Sequence, residues 1–78
     1  MKRAYVTAVI WKEGTRFVSK CPELGVASYG KTPETARESL KEAIELYLAN
    51  AQRLGLLKEL APSLSTPHYT SPVEIALA

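Results

Sequence analysis

Gly30-Lys31-Thr32-Pro33-Glu34-Thr35-Ala36-Arg37-Glu38-Ser39-Leu40-Lys41-Glu42-Ala43-Ile44-Glu45-Leu46-Tyr47-Leu48-Ala49-Asn50-Ala51-Gln52-Arg53-Leu54-Gly55 is the stretch that decides how this chain folds. Thr32 is a good N-cap, because its hydroxyl accepts from an orphan N–H of a first helical turn. Pro33 falls at the first helical position, where its missing N–H costs nothing and its fixed φ suits the helix. Glu34 sets a negative charge near the positive end of the helix dipole. From there Ala36, Leu40, Ala43, Ile44, Tyr47, Leu48, Ala51 and Leu54 recur at spacings of three and four and draw one apolar stripe. Opposite-sign neighbours (Glu34/Arg37, Glu38/Lys41, Lys41/Glu45) are offset by like-charge ones (Glu34/Glu38, Arg37/Lys41, Glu38/Glu42). The helix therefore depends on what its stripe covers. Gly55 suits the position just past its end.

With 78 residues, 46% of them hydrophobic and 23% charged, the chain predicts one small domain over 1–78. Domains of this size often add buried surface by self-association, so a homo-oligomer is expected. A net charge of +2, with the basic residues scattered, gives no support for nucleic-acid binding. The single Cys cannot close an internal disulfide, which points to a reducing compartment, the cytoplasm. Met1-Lys2-Arg3 is followed only by Ala4–Trp11 before charge resumes, too short an apolar run for a signal peptide, and no run is long enough to span a bilayer.

Moving outward from the helix, Ala4–Trp11 is rich in β-branched and aromatic residues and reads as a strand. Its small residues Ala4 and Ala8, with Val6 and Ile10, belong under the helix; Tyr5, Thr7, Val9 and Trp11 belong on the opposite side. Lys12–Thr15 is a hairpin turn and Arg16–Cys21 the return strand, with Phe17, Ser19 and Cys21 toward the helix and Arg16, Val18 and Lys20 away from it. Pro22-Glu23-Leu24-Gly25 is a second turn, and Val26–Tyr29 a third, short strand whose alternation does not assign its faces. Leu56–Leu60 adds a helical turn at the end of the domain, and 62–72, with Pro62, Pro67 and Pro72 among Ser and Thr, reads as a linker. Val73–Leu77 alternates and reads as a last strand. The order β-β-β-α-β, with a right-handed crossover, predicts an α+β fold with sheet order 3-2-1-4 and one helix on one face.

One helix on one sheet leaves the second face bare. Tyr5, Val9, Trp11 and Val18, flanked by Arg16 and Lys20, are the residues expected there. Such patches mark contact sites, and aromatic and Arg residues are enriched at interface centres. These six are the candidate protein-interface residues, with a second copy and another protein equally suited as the occupant.

No residue set looks catalytic. The chain has no Asp, and of its carboxylates only Glu74 falls in an expected strand, so two-metal nuclease chemistry lacks its ligands. His68 stands alone in a Pro- and Ser-rich loop and reads as a surface residue. Cys21 reads as a small buried hydrophobe rather than a nucleophile. Neither a phosphate-binding Gly-rich loop nor Cys/His metal spacing is present, so no cofactor and no metal is expected.

Val18-Ser19-Lys20-Cys21-Pro22-Glu23-Leu24-Gly25-Val26, Gly30-Lys31-Thr32-Pro33-Glu34-Thr35-Ala36 and Leu40-Lys41-Glu42-Ala43-Ile44-Glu45-Leu46-Tyr47-Leu48 together resemble the HicB antitoxin family. The pattern is a strand ending in Pro-acidic-Leu-Gly, a Gly-x-Thr helix start, and an Ala- and Glu-rich helix. The resemblance is strong over 5–47 and weak in the tail. It implies a partial RNase H-like fold without nuclease carboxylates. It also implies an antitoxin of a type II toxin-antitoxin system that masks the active site of a HicA-like, mRNA-cleaving toxin. Many such antitoxins carry a C-terminal DNA-binding domain; this sequence stops at Ala78, so no direct DNA binding by this chain is expected. A stand-alone oligomeric domain with a small-ligand or structural role is the alternative.

Overall fold

The computed structural model describes residues 3–77 and has a mixed α+β architecture. Its elements are β1 (Val9–Glu13), β2 (Arg16–Cys21), β3 (Val26–Gly30), α1 (Pro33–Arg53) and α2 (Leu57–Leu64). Residues 1, 2 and 78 of the domain expected over 1–78 lie outside the described residues.

The helix begins and ends where its sequence directs. The Thr35 N–H donates to Thr32 Oγ1 at 3.1 Å, and the Thr32 N–H donates to Thr35 Oγ1 at 2.9 Å, a capping box closed by a second threonine. At the other end Gly55 adopts φ 76°, and the N–H groups of Gly55 and Leu56 reach back to the carbonyls of Gln52 and Ala51. This is the paired bonding of a Schellman motif, which satisfies carbonyls that would otherwise be orphaned.

Ala36, Leu40, Ile44 and Ala51 of the stripe are buried, Ala43 and Leu48 are half-buried, and Tyr47 and Leu54 lie exposed at its margin. Leu40 and Ile44 pack with Cys21, and Leu24, Val26 and Leu48 surround them. Ser19, wholly buried, donates its hydroxyl to the Ala36 carbonyl at 2.7 Å and ties β2 to the first turns of α1. At Gly30 the strand passes so close beneath the helix that an added Cβ would lie 2.5 Å from the Ala36 nitrogen and 2.7 Å from the Thr35 carbonyl carbon. Only glycine fits there. As a result α1 lies over β3 and β2 and barely touches β1.

The sheet is antiparallel in the order β1-β2-β3, with Val9 opposite Lys20, Trp11 opposite Val18, Val18 opposite Tyr29 and Cys21 opposite Val26. Three expectations change. The first strand begins at Val9 rather than Ala4. Extending its register places Thr7 opposite Pro22, which has no N–H to offer, and the Thr7 N–H instead donates to the Glu23 carboxylate at 3.0 Å. The linker expected over 62–72 begins later, because α2 runs through Pro62 to Leu64. Its Leu57, Leu60, Ala61 and Leu64 recur at helical spacing, and Leu64 is wholly buried. Finally, Val73–Leu77 has no ladder partner among the described residues, so the place beside β1 assigned to it in the order 3-2-1-4 is open. Alternation in a sequence specifies a strand-like segment but not the neighbour it pairs with.

Two substitutions test this packing in urea melts followed by circular dichroism. Leu40→Ala is expected to cost about 2–5 kcal/mol as a large-to-small change in the core. Gly30→Ala is expected to cost about 1–3 kcal/mol by forcing β3 and α1 apart. A stability equal to wild type for either would contradict the contact that seats the helix.

Candidate protein-interaction faces

The register assigns the sheet face turned away from α1. Val9, Trp11 and Glu13 of β1 share it with Arg16, Val18 and Lys20 of β2, because directly paired residues point to the same side. Ala27 and Tyr29 complete it from β3. Its centre is a row running across the three strands, Trp11–Val18–Tyr29, with Trp11 39% and Tyr29 60% exposed. The Arg16 guanidinium lies 4.6 Å from the centroid of the Tyr29 ring, a cation–π contact across the face.

Of the six candidate interface residues, the structure gathers Val9, Trp11, Arg16, Val18 and Lys20 on this face. Tyr5 is elsewhere. Its N–H donates to the Leu64 carbonyl at 2.8 Å, and its side chain lines a groove between the Ala4–Ala8 segment and α1. Once the chain leaves the sheet before Val9, the two-residue alternation no longer dictates which side it faces. Sequence reasoning missed Tyr29, although counting back from the four-residue turn Pro22–Gly25 pairs Val18 with it.

A second surface is this groove, of about 660 Å³, floored by Leu40, Ile44 and Leu48 of α1 and walled by Tyr5 and Val6. It is open because α1 is seated toward β3.

Glu23 is the polar centre at the end of the sheet. Its carboxylate accepts from the Thr7 N–H and, at 2.6 Å, from the Thr7 hydroxyl; the His68 Nδ1 lies 2.7 Å away, and the Cys21 thiol reaches it at 3.5 Å. The lone His of the tail is therefore engaged rather than free. Burial by itself would raise the Glu23 pKa, but the Thr7 hydroxyl, the His68 ring and the Thr7 N–H outweigh it and hold it at about 2. Cys21 behaves in the opposite sense: burial chiefly, with the adjacent Glu23, pushes its thiol pKa up. A wholly buried, protonated thiol is not a nucleophile. Among the described residues no three His, Cys, Asp or Glu side chains converge as metal ligands, and no helix is long and apolar enough to cross a membrane.

A comparison with known proteins finds a relative, described as a UPF0150 protein, in Helicobacter pylori strain J99. It is 38% identical over 74 residues, which is 94% of this chain and 97% of the relative. No family model and no solved structure matches the chain.

The Glu23 arrangement makes stability depend on pH. Its folded pKa lies below the ordinary 4.5, so its contribution is complete above about pH 4.5 and is lost as the pH falls toward 2. In urea melts wild type is expected to exceed Glu23→Gln by about 1–3 kcal/mol at neutral pH. That gap should close on acidification to pH 2.

Proposed function

The chain belongs to the UPF0150 family, which is the HicB-like family, and from that premise we propose that it is an antitoxin-like binding module. In this reading it neutralises a small HicA-like, mRNA-cleaving toxin by lying over the toxin's active site. The three antiparallel strands and α1 are then read as the partial RNase H-like unit of the family, with sheet order 3-2-1-4 once a fourth strand occupies the place beside β1.

The observation that most supports this reading is the uncovered row Trp11–Val18–Tyr29 with Arg16 laid over Tyr29. Large, rigid aromatic side chains lose little freedom on binding and carry much of the energy at interface centres. Arg16 and Lys20 beside them can donate hydrogen bonds to acceptor groups of a partner surface. The mechanism is steric. Nothing is cleaved or transferred by this chain, which acts by denying the toxin access to RNA. The thiol of Cys21 is sequestered and His68 is committed to Glu23, so both hold structure in this reading.

Co-expression with a HicA-like toxin encoded beside this chain tests the reading. Growth should be restored, and the two proteins should co-purify. Trp11→Ala is expected to weaken the complex by about 2 kcal/mol or more while leaving the urea midpoint of the free protein nearly unchanged. Toxin killing that is the same with and without this chain would sink the antitoxin reading and favour a stand-alone oligomeric domain.

A further inference from the structure

The segment Val73–Leu77 and the place beside β1 fit one another, yet in a single chain they do not meet. Val73, Ile75 and Leu77 are 75%, 69% and 92% exposed, and they alternate with Glu74 and Ala76 as an edge strand requires. Among the described residues no backbone hydrogen bond joins 66–77 to another element. On the other side, β1 pairs only with β2, so its outer N–H and C=O groups have no strand partner, and the apolar groove between α1 and the Ala4–Ala8 segment lies just before the start of β1.

We propose that Val73–Leu77 of one chain adds as an edge strand to β1 of a second copy, placing Val73, Ile75 and Leu77 over its groove, with the exchange made reciprocally. The occupant is a second copy because of how the tail leaves the domain. His68 is held at Glu23, beyond the ends of the strands, and Pro67 and Pro72 stiffen the backbone on either side of the short connection. A short, stiff hinge favours exchange between copies over closure on the same chain, and a reciprocal exchange closes as a two-fold dimer. Main-chain pairing supplies the attraction, and alternate side chains entering the groove fix the register. This dimer leaves the Trp11–Val18–Tyr29 face free, so its failure would not touch the toxin-binding reading, nor the reverse.

Light scattering on the full chain is expected to give the mass of a dimer. Ile75→Asp, at a position that contributes nothing to the core of its own chain, should give a folded monomer. A second measurement mixes the single variants Val6→Cys and Ile75→Cys under oxidising conditions, with Cys21 buried and out of reach. A disulfide-linked heterodimer supports the exchange. A monomeric wild type, a mass unchanged in Ile75→Asp, no cross-link between the two single variants, or a Val6→Cys/Ile75→Cys double variant that closes only within one chain would each overturn it.

Discussion

The seating of Leu40 and Ile44 on Cys21 governs the rest of the molecule. That contact lies over β2 and β3, and Gly30 allows it by letting β3 run directly under the first turn of α1. A larger residue at that point would force β3 and the first turn of α1 apart. Because the helix is seated toward β3, a groove is left between it and the Ala4–Ala8 segment. The two uncovered surfaces of the protein follow from that asymmetry: the groove beside β1 from the offset, and the aromatic row from there being no helix on the far side.

Much of this is legible in the chain. Thr32-Pro33-Glu34 and Gly55 bracket the helix, and Gly14 and Pro22–Gly25 mark both turns. Alternation in Arg16–Cys21 puts Ser19 and Cys21 inward and Val18 outward. What the sequence conceals is of two kinds. Proline dominated the reading of 62–72, although Leu57, Leu60, Ala61 and Leu64 already carry a helical period that tertiary burial of Leu64 rewards. The length of β1 is the other kind. It is set by Pro22, a residue on the neighbouring strand, and by a carboxylate that takes over from the missing ladder bond. Such limits arise between segments and leave no trace in the pattern of either segment alone.

Glu23 joins parts of the chain that are distant in sequence. It holds the N-terminal segment through Thr7, the tail through His68 and the end of β2 through Cys21. A carboxylate whose side chain is only 7% exposed is tolerable because donors surround it. In a protein this small, one well-satisfied polar group can tie the N-terminal segment and the tail to the end of a core strand.

Trp11 is the only tryptophan of the chain, and it stands on the open face rather than in the core. Its indole emission therefore reports on whatever covers that face, while being nearly blind to the packing between helix and sheet. The wild-type protein thus carries its own optical probe: a blue shift on mixing marks an indole leaving water for a partner's surface, and no label has to be introduced to see it.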